Sequence, residues 1–112
     1  MSIKDWSENI ILVELQDDPL YSEDMNLLEE MLESKPNRHV VLDLSEIQFL
    51  NSSNIAKLLK LRKRMLVSPP TKLRLCGITT SVWGVFLVTG LDKLFDFSDN
   101  VASGLASIQL ES

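Results

Sequence analysis

The chain has 112 residues, of which 45% are hydrophobic and 24% charged, and these proportions are typical of a folded globular protein rather than a disordered or fibrous one. At this length we expect one domain, spanning residues 1–112, with a hydrophobic core of its own. The formal net charge is −5, which opposes binding to a phosphate polymer, so no nucleic acid partner is expected.

The sequence predicts neither a membrane segment nor a metal site. No apolar run approaches the ~20 residues of a membrane-spanning helix, and the first residues, MSIKDWSENI, lack the pattern of a signal peptide. We therefore expect a cytoplasmic protein that does not insert into membranes. Cys76 is the single cysteine, and with His39 it supplies only two soft metal ligands. No metal and no cofactor are predicted.

Charge is divided along the chain. Residues 1–46 hold 12 of the 16 acidic residues and 3 of the 11 basic residues, whereas residues 57–74 hold seven basic residues and no acidic one. Aromatic residues are not interleaved with this basic segment, which again disfavours nucleic acid. It is interpreted either as a solvated helix face or as a patch that meets an acidic protein surface.

The N-terminal third predicts a β-hairpin followed by a helix. Residues 9–15, NIILVEL, form an apolar strand, with which residues 3–6 are expected to pair through a short turn. Ser22 is the predicted cap of the helix, which has acidic residues in its first turn and ends near Pro36. Its apolar rows are Met25, Leu28 and Leu32, with Leu27 and Met31 beside them.

The middle of the chain predicts a central strand and an amphipathic helix. Residues 39–44, HVVLDL, are almost continuously apolar, as expected for an interior strand covered on both faces. A helix over about residues 53–66 follows, and the pair Pro69 and Pro70 is expected to end it. The side chains predicted to face inward are Ile55, Leu58, Leu59, Met65 and Leu66.

The C-terminal third predicts two strands that alternate with two helices. Residues 72–78 alternate as a strand does, a hydroxyl among residues 79–81 caps the next helix, and Gly90 closes that helix in the left-handed conformation. Residues 95–97 form a short strand, and Asp99 caps the last helix, which bears Val101, Ala102, Leu105 and Ile108. Strands separated by helices favour a parallel or mixed sheet.

The helix within SVWGVFLVTG is too apolar all round for an ordinary surface helix. Trp83 and Leu87 form one stripe. A second stripe beside it comprises Val82, Val85 and Phe86. Either the helix is fully buried or one stripe is a contact, and we place Trp83 and Leu87 in a contact with a partner protein or with a second copy of the chain in a homodimer.

The segments VVLDLSEIQFLNSSNIAKLLKL, KLRLCGI and VTGLDKLF resemble the STAS family of bacterial anti-sigma-factor antagonists. Three pieces occur in order at the right separations: the strand that ends in Asp43, the Ser-Ser helix entrance, and Thr89-Gly90-Leu91 before an apolar strand. The similarity extends from about residue 9 to residue 108. It implies an α/β fold in which a mixed sheet of four to five strands has its helices packed mainly on one face. It also implies a non-catalytic protein-binding module rather than an enzyme.

In antagonists of this family, the loop before the second main helix carries Asp-Ser-Ser-Gly, and a partner anti-sigma factor that is a serine kinase phosphorylates the first serine. The resemblance places the phosphoacceptor on Ser52, with the adjacent Ser53 as the less favoured phosphorylation site, whereas Asn51 and Asn54 replace the family Asp and Gly. It implies that such a kinase binds this loop and the basic helix after it. The implied contact residues are Asn51, Ser52, Ser53, Asn54, Lys57 and Lys60.

The two asparagines leave other interpretations open. Asn51 keeps an oxygen that can cap the helix, but it removes the negative charge beside the hydroxyl, and Asn54 adds a Cβ where the family has none. The serines then form a cap and contact surface that is never phosphorylated. The alternative function is a constitutive scaffold subunit of a signalling assembly or an accessory subunit of a transporter ATPase.

Catalysis is not predicted. Asp43 lies near the end of the predicted central strand, where a carboxylate could accept phosphate or hold magnesium, but the sequence places no second acid, basic clamp or glycine-rich phosphate loop with it. A Ser–His–Asp set would have to recruit His39, which is more simply explained as the first residue of a strand.

Overall fold

The structure, a computed structural model, describes residues 2–67 and 71–111. The predicted helix stop at Pro69 and Pro70 lies outside these residues. The described elements are, in chain order, β1 (Ile3–Asp5), β2 (Ile10–Gln16), α1 (Leu20–Ser34), β3 (His39–Glu46), α2 (Ser52–Val67), β4 (Leu73–Cys76), α3 (Thr80–Thr89), a 3-10 turn (Leu91–Lys93), β5 (Asp96–Ser98) and α4 (Val101–Glu111).

The five strands form one mixed sheet in the order β1-β2-β3-β4-β5. The β1–β2 hairpin is antiparallel, with Ile3 opposite Val13, and every later neighbour is parallel. Parallel neighbours need crossovers, and the helices between the strands supply them. The predicted mixed α/β sheet is confirmed, and β3 is its central strand.

The sheet divides the molecule into two unequal layers. Helices α1, α2 and α3 pack on one face, and their core includes Leu28, Leu42, Leu58 and Phe86. Helix α4 packs on the other face over a smaller cluster: Ile10, Leu12, Val41, Cys76, Leu105 and Ile108. Neighbouring residues of β2 contribute to different clusters because side chains alternate across a strand. Packing of the helices mainly on one face is therefore confirmed.

The inward row of α2 differs from the prediction. Leu58, Leu61 and Met65 are buried, whereas Leu59 is 37% and Leu66 is 63% exposed. Spacings of three and four residues keep the buried set on one face, and the next residue along is turned about 100° away from that face. The prediction missed Leu61, which lies within the basic run.

Two helix ends agree with the prediction. Thr79 caps α3, since its Oγ1 accepts the N–H of Val82 at 3.4 Å. Gly90 ends α3 with a φ of 76°, a left-handed conformation that a side chain would strain. Gly77 has a φ of 68° and ends β4 at Cys76, two residues before the predicted end.

Two predicted caps are wrong. Ser22 lies inside the first turn of α1 and does not cap it: its N–H and hydroxyl both donate to Oδ1 of Asp18, at 3.0 and 2.7 Å. Asp99 is not the cap of α4, because Oδ1 of Asn100 accepts the N–H of Ser103 at 2.8 Å. In each case a different polar residue, Asp18 or Asn100, has the position from which a side-chain oxygen reaches a first-turn amide.

Candidate functional site

The candidate site is the loop between β3 and α2, at the carboxyl edge of the parallel strands. Oδ1 of Asp17, in the adjacent β2–α1 loop, accepts the N–H groups of Gln48 and Phe49 at 3.0 and 3.2 Å. Leu50 points into the core, whereas the Phe49 side chain is 77% exposed. The loop is thus fixed by its backbone while it displays an aromatic ring.

Asn51 and Asn54 cap α2 reciprocally. The N–H of Asn54 donates to Oδ1 of Asn51 at 2.8 Å, and the N–H of Asn51 donates to Oδ1 of Asn54 at 3.1 Å. This is the geometry of a capping box, in which each side chain satisfies a backbone donor of the other residue. The capping role expected of Asn51 is therefore present, with Asn54 as its unexpected counterpart.

Asn54 belongs to the scaffold of the site rather than to its surface. It is only 3% exposed, its Nδ2 donates to Oδ2 of Asp18 at 2.7 Å, and its carbonyl oxygen accepts the hydroxyl of Tyr21 at 2.7 Å. The expectation that Asn54 presents its amide to a partner is corrected by this burial. Its side chain instead ties α2 to α1.

Hydrogen bonds keep the Asp18 carboxylate beneath the loop in its ionised form. The Ser22 hydroxyl and then the Asn54 amide hold the pKa of Asp18 below its usual range, although the loss of some surrounding water opposes them. Burial raises the pKa of Tyr21, and the negative charge of Asp18 adds to this effect. Asp18 therefore remains an ionised acceptor and Tyr21 a neutral donor at physiological pH.

Ser52 and Ser53 are the first two residues of α2, and both are exposed. The capping box uses the N–H groups of Asn51 and Asn54, so those of the two serines remain at the positive end of the helix. The two hydroxyls therefore lie at the open mouth of α2, where a second protein can reach them.

The basic face of α2 is partly used within the chain. Nζ of Lys57 donates to Asn26 at 3.2 Å, Arg64 pairs with Glu29, and Nε of Arg62 donates to the carbonyl of Leu94 at 2.8 Å. Two other members, Lys60 and Lys63, are exposed. Of the predicted contact residues, Lys60 is therefore more open than Lys57, which is half-buried.

The other predicted contact residues, Trp83 and Leu87, lie on another side of α3. The Trp83 ring is edge-on to Phe97 at 5.0 Å, and it lines a cavity near β5. Leu87 is 53% exposed. The side of α3 that faces the loop instead carries Ser81 and Val85. The structure does not bring Trp83 to the serine pair, and α3 is neither fully buried nor fully open.

An apolar groove beside the serines was missed from the sequence. It has a volume of about 630 Å3, and Phe49, Asn51, Ser81 and Val85 are among the residues that line it. One signal was present: Phe49 is an aromatic residue immediately before a predicted helix entrance. The groove itself depends on α3, which lies some thirty residues further along the chain, and no local pattern reports it.

The residues considered for catalysis are not assembled. His39 begins β3, where its Nδ1 accepts the N–H of Lys72 at 2.9 Å, whereas Ser52 follows the other end of that strand. Asp43 accepts the N–H of Ser45 at 3.0 Å. Among residues 2–67 and 71–111, no three His, Cys, Asp or Glu side chains are grouped as a metal site would need. The described helices are all too short or too polar to cross a membrane.

Comparisons with known proteins agree with this fold. A family model, the STAS domain, matches residues 5–104. No curated protein matched the chain. Among solved structures, a putative anti-sigma factor antagonist from Thermotoga maritima has a TM-score of 0.80 at 15% identity, over 96% of this chain and 92% of that chain.

Two further structures have the same fold at low sequence identity. The anti-sigma factor antagonist SpoIIAA in its unphosphorylated form has a TM-score of 0.79 at 11% identity, over 96% of this chain and 94% of that chain. A chain of the stressosome, a signal integration and transduction hub, has a TM-score of 0.73 at 18% identity, over 96% and 95%.

Proposed function

Because the chain belongs to the STAS domain family, whose model covers residues 5–104, we propose that it is a non-catalytic regulatory protein of the cytoplasm that acts by binding another protein. The observation that carries this proposal is the exposed serine pair at the mouth of α2, held in place by the Asn51–Asn54 capping box. A loop whose backbone is fixed by hydrogen bonds and whose side chains are exposed is preorganised for binding another protein.

The proposed contact surface joins three kinds of side chain. Phe49 supplies an exposed aromatic anchor, Ser52 and Ser53 supply hydroxyls, and Lys60 supplies an exposed positive charge. Aromatic residues dominate the binding energy of many interfaces, whereas charges at the rim set specificity and the rate of encounter. The surface therefore fits a partner with an apolar pocket and an acidic flank.

The partner that we propose is an anti-sigma factor with serine kinase activity. The support is the family and the fold shared with solved anti-sigma factor antagonists. In this role the unphosphorylated chain binds the kinase. Phosphate on Ser52, or less favourably on Ser53, then releases it.

A phosphate on Ser52 would alter the surface without unfolding the chain. It would lie at a helix N-terminus, where free N–H groups and the helix dipole favour an anion by about 0.3–1 kcal/mol. It would also add about −1.5 to −2 charges to the proposed contact surface. A partner with an acidic flank would then be repelled.

The capping box also favours a second candidate function. Two neutral amides stand where antagonists of this family carry Asp and Gly, and the box completes the loop without phosphate or a partner. Such a fixed loop suits a constitutive scaffold subunit, and a stressosome chain shares the fold. An accessory subunit of a transporter ATPase would use the same surface. An anti-sigma kinase, stressosome components or a transporter encoded beside the gene would distinguish these roles.

Co-purification from the native host with identification by mass spectrometry tests the binding role. Ser52→Glu should abolish recovery of the partner if the surface is a charge switch. Ser103→Glu is the matched control, because it places the same charge in the first turn of α4 on the opposite face and should leave recovery unchanged. Recovery of the same partner by both variants would reject the switch and favour the scaffold.

Phosphorylation is tested separately. The chain is incubated with ATP and a lysate of the native host, or with an anti-sigma kinase where one is encoded beside the gene, and phosphosites are mapped by mass spectrometry. We expect phosphate on Ser52, and Ser52→Ala should remove most of it. Absence of phosphate from both Ser52 and Ser53 would refute regulation by phosphorylation and leave the binding role standing.

A further inference from the structure

Helices α1 and α2 carry opposite and equal formal charges. Helix α1 (Leu20–Ser34) contains five acidic residues and no basic one, whereas α2 (Ser52–Val67) contains five basic residues and no acidic one. Within the chain an ion pair joins Arg64 to Glu29. The exposed surface of this layer therefore consists of an acidic helix beside a basic helix.

The two helices run in the same direction, and a constant offset in sequence relates residues that lie side by side on them. Each follows one parallel strand and precedes the next, so both run antiparallel to the strands. Their side-chain contacts are Tyr21 to Asn54, Asn26 to Lys57 and Glu29 to Arg64, with sequence separations of 33, 31 and 35. A residue of α1 therefore lies beside the residue of α2 that is about 33 positions later.

The outermost residues of the two helices are a matched pair. Glu30 and Lys63 are each two residues, or about 200°, from a buried leucine of their own helix, Leu28 and Leu61 respectively, and both are exposed. Their sequence separation of 33 puts them at the same level along the layer. Glu30 therefore lies on the outermost face of the acidic helix, and Lys63 on the outermost face of the basic helix.

We propose that this layer is a homodimer interface, in which the acidic α1 of one copy lies on the basic α2 of the other. The two-fold axis runs parallel to the helices, outside the surface and midway between them. Rotation about it exchanges the two sides of the layer but keeps each residue at the same height along the helices. It therefore sets Glu30 against Lys63 of the second copy, and the symmetry repeats the pair. The occupant of the surface is a second copy of this chain because the surface is complementary to itself.

An apolar pair flanks the charges in this arrangement. Leu27 is 36% exposed on the side of α1 away from α2, and Leu59 is 37% exposed on the side of α2 away from α1. The same two-fold axis brings these two outer sides together, and the separation of 32 puts the two leucines at nearly the same level. Burial of this pair adds an apolar contact to the ion pairs.

The dimer should be weak and sensitive to salt. Two helices of about 22–24 Å in length, roughly 10 Å apart, give a contact at the small end of specific interfaces. Ion pairs at the surface are screened at moderate ionic strength. The inference does not rest on the proposed partner, because it uses only the charges and levels of the two helices.

Sedimentation velocity of the full chain, over a concentration series at low salt, tests the interface by charge exchange. Lys63→Glu and Glu30→Lys should each raise the dimer dissociation constant by about tenfold or more, because each replaces two attractions by two repulsions. An equimolar mixture of the two variants, and the double variant in one chain, should restore dimers, since opposite charges then face each other again.

Matched controls reverse charges elsewhere. Lys93→Glu and Glu8→Lys give the same changes in net charge at exposed residues outside α1 and α2, and they should dimerise as the unchanged chain does. A monomeric unchanged chain at all concentrations would overturn the proposal. So would single variants that dimerise normally, or a mixture and a double variant that stay monomeric.

Discussion

At the scale of single residues, the site depends on a buried amide rather than on the exposed hydroxyls. Asn54 donates to Asp18, accepts from the backbone of Asn51 and receives the hydroxyl of Tyr21 through its carbonyl. The sequence indicated the cap but not the burial, because Asp18 is 36 residues distant along the chain. Local patterns report periodicity and capping, whereas a tertiary hydrogen bond depends on how the two loops meet.

Asn54→Ala should lower the free energy of unfolding by about 1–3 kcal/mol, because it removes the acceptor of the Asn51 N–H and the amide that donates to Oδ2 of Asp18. Urea denaturation monitored by circular dichroism measures this. Ser53→Ala, at an exposed neighbouring position, is the control and should change stability by at most about 0.5 kcal/mol. Equal losses in the two variants would show that the amide network contributes nothing.

The Asp18 network should also make stability depend on pH. Hydrogen bonds hold the pKa of folded Asp18 below the ordinary value of 3.8, so its contribution is complete above that value and is lost as pH falls through the lowered pKa. We expect Asp18→Ala to be less stable than the unchanged chain at neutral pH. The difference should shrink as urea titrations move below pH 3.8.

Asp99→Ala removes an exposed carboxylate and corrects for the loss of one negative charge. A stability difference between Asp18→Ala and the unchanged chain that stays constant through the acid range would contradict the assignment of the effect to Asp18 ionisation.

At the scale of elements, the sequence was a good guide to order and type. The hairpin, the central strand, the Thr79 cap and the Gly90 helix end are all present. The face of α2 was harder to predict, because apolar residues occur on several of its rows. Which row is buried depends on the position of the sheet and of α1, and neither is encoded within the helix.

Leu61→Ala and Leu59→Ala distinguish the two possible inward faces of α2. Leu61 is fully buried, so its truncation should cost about 2–5 kcal/mol through lost burial and a cavity. Leu59 is 37% exposed, and its truncation should cost about 1 kcal/mol or less. Thermal and urea unfolding provide the comparison. A greater loss for Leu59→Ala would restore the face predicted from the sequence.

At the scale of the whole molecule, the two faces of the sheet carry different kinds of surface. The face covered by α1, α2 and α3 carries the serine pair and the charged helices, whereas the face covered by α4 is a small apolar layer. The proposed partner would use Lys60 and the proposed dimer Leu59 and Lys63, which are close to it on α2, so the two contacts should compete. The layer under α4 is outside both proposed contacts.

The layer under α4 contains a close approach that can be tested. A Cβ at Gly104 would lie 2.6 Å from Sγ of Cys76, and burial, aided by Asp43, raises the pKa of that thiol to about 11. Gly104→Ala should force α4 outward and speed alkylation of Cys76 by iodoacetamide at least severalfold, measured by mass spectrometry. Gly84→Ala, where a Cβ meets nothing within 4 Å, should not.

The same contact makes Cys76 a reporter of local opening under α4. Cys76 is fully buried under α4, so we expect it to be alkylated only when that layer opens, and its labelling rate would then report how often the layer opens. A ligand that binds on the serine side and stabilises the sheet should lower the alkylation rate of Cys76 without contacting the thiol. A ligand that leaves the stability of the sheet unchanged should not alter that rate.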